Sequence, residues 1–338
     1  MTTLREIAAR AGVSISTASR ALSDQAHVEV ETRRRVKAVA TEMGYVPNAL
    51  ARDLRRNQTR TIGLLLPDMR YSSFASDSSA LIQVQLQERG YGMVIYATRH
   101  DRETELRCLE RLHQQQVDGI IHVPTSMAGS ENFNSALGSI PMMEFLRPSA
   151  STKLDAVIYD GESGAKAVID YLFSLGHRHI GVIAGPKRVA STLRRLDGAR
   201  RAIAEANLPD ARLSIVHGEY SPDTGRNAIH RLVTQSDQPT AVFATSAQFV
   251  LGAMLATKEI GLHIPKDLSL AGFGDPEWGK LISPGLTTYA LPLHEMAMTA
   301  VLLITSRVEH PPQDDHVPVR VTIAGNLVIR ESTAPVAV

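Results

Sequence analysis

Ile15, Ser16, Thr17, Ser19 and Arg20 fall on one side of a short segment that opens at Ser14, offering hydroxyls, one apolar contact and one guanidinium. Hydroxyls and backbone N–H groups at the start of a helix suit phosphate oxygens, because the helix dipole is positive there. The planar fork of Arg20 matches O6 and N7 of guanine in the major groove of DNA. The same residues would also make a capped, solvent-exposed helix with an ordinary surface arginine. No bond-making set accompanies them: no GxGxxG follows a strand-like run, and P-loop, GxSxG and HExxH patterns are absent. His177 and His179 stand close together, yet no cysteine pair or carboxylate at ligand spacing joins them. The stretch Leu175–Gly181 reads instead as a passage from helix into strand. Catalytic residues, a metal and a cofactor are therefore not expected.

The elements around Arg20 decide between those two readings. Leu4, Ile7, Ala8 and Ala11 recur at the spacing of one helical face, with Thr3 as N-cap and Glu6 completing a capping box. Gly12 stands where the helix would end in a left-handed turn, and Ser14 can cap a second helix, Ile15–Leu22, that buries Ala18, Ala21 and Leu22. A third helix, about Val30 to Met43, would cover both with Val36, Val39, Ala40 and Met43. Two short helices joined at such a corner make a helix-turn-helix. Charge agrees with this: residues 1–60 hold 11 Lys and Arg against 6 Asp and Glu, whereas the remainder holds 25 against 29. A basic head on a mildly acidic body suits a module that binds a polyanion.

The body is of another kind. At 338 residues, 43% apolar and 21% charged, the chain suits two or three compact units with real cores. Beyond Arg60, strand-like runs at Thr61–Leu66, Gly92–Ala97, Gly119–His122, Pro141–Phe145, Ala156–Tyr159, His179–Ile183, Leu213–His217, Ala241–Ala244 and Ser269–Phe273 alternate with helical stretches such as Glu103–Gln116, Gly161–Leu175 and Asp223–Thr234. That alternation predicts α/β architecture with parallel sheets, here two of about 100 residues each. Cys108 is alone, the N-terminus does not read as a signal peptide, and no apolar run approaches the roughly 18 residues of a membrane span. A cytoplasmic protein without membrane attachment is expected.

Leu4–Leu22, Glu31-Thr-Arg33, Gly44-Tyr-Val-Pro-Asn-Ala-Leu-Ala-Arg52 and Thr59–Leu64 closely resemble the LacI/GalR family of bacterial repressors. Val117–Ile121, Leu175–Ile180, Arg195–Gly198, Pro239–Phe243, Ile264–Ser269, Gly272–Asp275 and Leu286–Thr288 resemble its periplasmic-binding-protein-like core. The resemblance implies an all-α helix-turn-helix head over residues 1–46, a hinge helix and linker over 47–60, and a two-lobed α/β sensor over 61–338. Its N-lobe would take about 61–159 and 292–320, and its C-lobe about 162–289 and 324–332. Ile15 and Ser16 then take the variable base-reading positions and Arg20 that of the recognition-helix arginine. The segment Pro47–Arg56 is too short to be helical alone. By resemblance it forms on DNA beside its dimer mate, with Asn48 and Ala51 against the minor groove and Leu54 as the wedge that opens a base step.

The resemblance also implies a small-molecule effector, sugar-like, in the cleft between the lobes. Arg195 and Asp275 match gripping positions, Tyr220 an aromatic that stacks on a sugar ring, and Phe74 a first-loop aromatic. A lobe-stabilising ion pair and ordinary packing would account for the same residues. Ser246-Ala247 stands where many members carry Asn-Asp, Leu146-Arg147 where many have Asp, Gly274 for the first Asp of a pair, and Leu291 for a glutamine. A pocket that has lost carboxylates and amides and gained Arg147 favours a smaller or anionic ligand, such as a sugar acid or sugar phosphate. The expected protein is a ligand-controlled repressor that binds a pseudo-palindromic operator as a homodimer; the tetramerising leucine heptads are not visible. A stand-alone solute-binding protein and an α/β enzyme are the rival readings, weakened by the N-terminal reader and the missing catalytic motifs.

Overall fold

The computed structural model of the chain describes residues 2–22, 28–45, 58–68, 73–126, 139–151, 153–311 and 317–336. Contacts divide the chain into two units, Met1–Thr59 and Arg60–Val338.

In the first unit, α1 (Leu4–Arg10) opens with the expected capping box, Thr3 accepting from the Glu6 N–H and the Glu6 side chain accepting from the Thr3 N–H. Gly12 turns the corner with φ +65°, which costs a glycine nothing. The hydroxyl of Ser14 accepts from the Thr17 N–H at 3.1 Å and caps α2 (Ile15–Leu22). The third helix, α3 (Val30–Glu42), crosses both, and Arg35 donates to the Ala11 carbonyl at 3.1 Å, tying it to the corner. Ile7, Ala8, Ala11, Ala18, Ala21, Val36 and Ala40 form the core. Alanines let three short helices approach closely, and each large side chain buried here, such as Ile7, contributes about 1.5–3 kcal/mol.

In the second unit, two six-stranded sheets repeat one plan. The strands β1 (Thr61–Leu66), β2 (Gly92–Ala97), β3 (Gly119–His122), β4 (Met142–Leu146) and β5 (Asp155–Tyr159) belong to the first sheet. The second holds β6 (His179–Ala184), β7 (Arg212–His217), β8 (Ala241–Ala244), β9 (Ser269–Phe273) and β10 (Thr287–Ala290). Two late strands, β11 (Arg320–Ile323) and β12 (Asn326–Val328), complete one sheet each, giving the orders β11-β5-β4-β3-β1-β2 and β12-β10-β9-β8-β6-β7. All pairings are parallel except β10 with β12. The chain passes between sheets after β5, after β10 and after β11. The last three strands were not among the expected runs; β11 and β12 are edge strands of 4 and 3 residues with half-exposed faces, too short for a period to show.

Helices cover both faces, so the central strands are buried along their length, as in Thr61-Ile-Gly-Leu-Leu-Leu66. In the first sheet α4 (Ser73–Glu88) and α11 (Leu293–Glu309) pack on one face and α5 (Arg102–Gln114) on the other. In the second, α6 (Gly161–Ser174) and α7 (Ala190–Ala206) oppose α8 (Pro222–Val233) and α9 (Ala247–Glu259), with the short α10 (Glu277–Leu281) near the rim. Within each sheet the first strand lies inside its second and third, making a topological switch point at its carboxyl end, where α/β sheets bind ligands.

Candidate DNA-reading helix and effector cleft

The outward side of α2 carries what the sequence assigned to it. Ser14, Ile15, Ser16 and Arg20 are exposed, Thr17 and Ser19 half-buried, and Ile15 retains 49% of its surface. The Ser14 hydroxyl lies 2.8 Å from those of Ser16 and Thr17, a cluster of small donors at a helix N-terminus. Arg20 donates through Nε to the Ser16 carbonyl at 3.3 Å, which lays the side chain along the helix and leaves its fork outermost. Hydroxyls at the N-terminus and a guanidinium one turn later form a surface that can meet phosphates and a base edge together. The hinge residues Asn48, Ala51 and Leu54 lie outside the described residues.

Between the two sheets of the second unit lies a cavity of about 90 Å³ at their carboxyl ends. From the first sheet come Asp68, Phe74, His100 and Arg147; from the second come Ser191, Arg195, Tyr220, Ser246 and Gln248; Tyr159 stands at the crossing. Phe74, Arg147, Arg195, Tyr220 and Ser246 thus line one cavity. His100, Asp68, Ser191 and Gln248 were missed, although each follows a strand end or opens the helix after one, the position from which α/β sheets recruit ligand contacts.

Arg147 reaches the cleft through local geometry. Leu146 ends β4 in the left-handed region (φ +64°), and the Arg147 N–H donates back to the Phe145 carbonyl at 2.7 Å. This tight reversal turns the next side chain inward. The residue is 9% exposed, and its guanidinium donates through Nε to the Pro124 carbonyl at 2.6 Å, while Nη2 has no hydrogen-bond partner. Arg195, on α7 and 4% exposed, donates to the Thr245 carbonyl at 2.6 Å and to the Tyr159 hydroxyl. Its guanidinium lies 4.1 Å above the Phe273 ring, and its Nε has no hydrogen-bond partner. Burial pushes the Arg147 guanidinium down from its ordinary value, but an arginine keeps its proton in proteins. Burial alone would raise the Tyr220 phenol, yet the charges of Arg195 and Arg147 bring it below its usual range. With Asp68 as the one carboxylate among the described lining residues, the two guanidiniums leave the cleft net positive.

Asp275 corrects the expectation. It is not among the cavity-lining residues, and both its oxygens accept from Arg330, at 2.7 and 2.9 Å. An ion pair with a late segment of the chain, the bland alternative at the outset, is what the fold makes of this carboxylate. Gly274 beside it has φ +96°, and a Cβ there would come within 2.5 Å of the Phe74 ring. A side chain at 274 would therefore collide with the aromatic at 74. Tyr220 also departs from expectation: its ring is already stacked with Phe249 (5.5 Å, 7°) and with His100 (5.6 Å, 25°). The two histidines at 177 and 179 diverge, His177 to Thr240 and the Ala334 carbonyl, His179 to Ser214. Among the described residues no cluster of His, Cys, Asp and Glu could hold a metal ion, and no helix is long and apolar enough to cross a membrane.

Comparison with known proteins agrees with this architecture at both ends of the chain. Residues 3–48 match the profile "Bacterial regulatory proteins, lacI family", and residues 169–333 match "Periplasmic binding protein-like domain". The HTH-type transcriptional repressor CytR of Escherichia coli (strain K12) is 30% identical over 307 residues, 91% of this chain and 90% of that protein. This chain belongs to the LacI family of transcriptional repressors. The repressor PurR of Pectobacterium carotovorum subsp. carotovorum (strain PC1) is 30% identical over 340 residues, covering 99% of this chain and 97% of its own. Among solved structures, the lac repressor dimer bound to operator and the anti-inducer ONPF has a TM-score of 0.86 at 26% identity, covering 98% of this chain and 99% of that one. The transcriptional regulator CelR in complex with cellobiose has a TM-score of 0.73 at 26% identity, covering 98% and 100%. The repressor is thus a DNA-binding regulator and not an enzyme, and its second unit has the fold of a small-molecule sensor.

Proposed function

We propose that this repressor binds a pseudo-palindromic operator as a homodimer in the cytoplasm and is switched by a small, anionic, sugar-derived effector held between Arg147 and Arg195. On the DNA side, Ser14, Ser16, Thr17 and Ser19 meet the backbone, Ile15 and Ser16 face bases, and Arg20 pairs with a guanine. The hinge supplies Asn48, Ala51 and the Leu54 wedge to the minor groove. On the effector side, the cellobiose complex of one relative supports a sugar-derived ligand. The observation that carries the anionic reading is the pair of buried guanidiniums in one cleft, each with an N–H that no protein atom accepts. Buried donors of this kind are normally satisfied, and a carboxylate or phosphate supplies both the acceptors and the charge. Ser246 and Gln248, at the N-terminus of α9, add polar groups on the same side.

The test is a panel of sugar acids and sugar phosphates against their neutral parents, titrated into the full chain by calorimetry. Anionic members should bind and shift operator affinity. Arg147→Leu should weaken them about 10- to 100-fold, the worth of one charge-assisted hydrogen bond, while changing neutral analogues much less. Equal weakening of both would reduce Arg147 to a support of the fold.

A further inference from the structure

We propose that His100 determines the shape of the effector: it occupies the Tyr220 face that a ring-shaped ligand would need, and so restricts the cleft to compact anions such as short hydroxy acids or three-carbon phosphates. This deepens, and rests on, the anionic reading above. An aromatic side chain recognises a ring by lying flat against it. The Tyr220 ring already has two stacked neighbours, Phe249 from its own lobe (5.5 Å) and His100 from the opposite lobe (5.6 Å), so a ring-shaped ligand would compete with His100 for it. Its hydroxyl is 3.0 Å from the Thr192 hydroxyl.

His100 is not a loose flap. The Thr98 N–H donates to the Leu66 carbonyl at 2.8 Å and the His100 N–H to the Pro67 carbonyl at 3.2 Å, which fastens the loop to the end of β1. Arg99 and His100 both sit in the left-handed region, at φ 55° and 59°, a conformation histidine tolerates better than most residues. Asp101 then caps α5, accepting from the Thr104 N–H at 2.7 Å. Burial and the neighbouring Arg147 push the imidazole down to about 4, so the stacked ring is neutral at physiological pH. What His100 leaves beside the two arginines is a cavity of about 90 Å³. A pyranose would have to expel His100 and forfeit an aromatic pair, a loss of about tenfold in affinity.

The experiment uses the full chain and four probes, glycerol 3-phosphate, glycerol, D-glucose 6-phosphate and D-glucose, by calorimetry on wild type, His100→Ala and His100→Phe. Wild type should prefer glycerol 3-phosphate over glucose 6-phosphate. His100→Ala should raise glucose 6-phosphate affinity about tenfold and narrow that preference accordingly. His100→Phe, which keeps a ring on Tyr220, should restore the wild-type preference. Glucose 6-phosphate binding that His100→Ala leaves unchanged, or too weak to measure in any of the proteins, overturns the proposal. Failure of the anionic reading registers separately, as glycerol and glucose binding no less tightly than their phosphates, and the shape comparison then falls to that neutral pair.

Discussion

Asp275 and Arg195 carry opposite charges, and the fold sends them to different partners. Arg195 is packed over Phe273 and holds two oxygens of its own protein, while its buried Nε has no hydrogen-bond partner. Asp275 is matched by Arg330 in a two-point pair whose members are each 16% exposed. Arg195 lines the cavity, whereas both oxygens of Asp275 are engaged by Arg330 away from it. Asp275→Asn should therefore cost about 1–3 kcal/mol of stability, because Arg330 is left half-buried without its charge partner. Urea unfolding of the full chain, followed on the transition of the second unit, measures this. The midpoint of the effector response should stay that of the wild type. The reverse outcome, intact stability with a lost response, would return Asp275 to the pocket.

At the scale of elements, α2 shows how a short helix becomes a reading head. Its inward side is Ala18 and Ala21, small enough to sit close against α1 and α3, so the helix is positioned by packing and its other side is left to solvent. The Ser14 hydroxyl satisfies the first-turn N–H of Thr17, and Arg20 is laid along the helix by the Ser16 carbonyl. Arg20→Ala should cost roughly 1–3 kcal/mol on the operator and far less on scrambled duplex, because a base contact carries sequence information and a phosphate contact does not. Paired fluorescence titrations on both duplexes give the answer; equal losses would assign Arg20 to the phosphate backbone.

For the molecule as a whole, two units answer to two kinds of ligand. The head carries the excess of Lys and Arg and meets a polyanion through its surface. The sensor, net negative, keeps its cleft arginines buried, where a duplex cannot reach them. Salt should therefore separate the two activities. With roughly six to ten phosphate contacts made by a dimer, operator affinity should fall about 10³- to 10⁵-fold between 50 and 200 mM salt. Effector affinity should change far less, because buried charges are screened weakly. Operator titrations across that range, with sedimentation to establish two chains per duplex, would decide it. A shallow slope, or one chain per site, would contradict the dimeric assignment.

The head and the alternation of strands and helices were legible in the sequence because they rest on local physics. A capping box, a glycine in a left-handed corner and a 3.6-residue apolar period act within a few residues, and continuous apolar runs mark strands covered on both faces. Motifs shared across most of the chain carried the two-lobed architecture as a resemblance. The edge strands β11 and β12 were not legible, being too short for any period. Nor was the inside of the cleft: whether a charged side chain faces a ligand or a partner depends on residues far away in the chain. Asp275 finds Arg330 across 55 positions, and Arg195 reaches the Thr245 carbonyl across 50. Only the tertiary structure brings His100 from one lobe onto Tyr220 of the other, because that contact exists only once two separately wound sheets share a cleft.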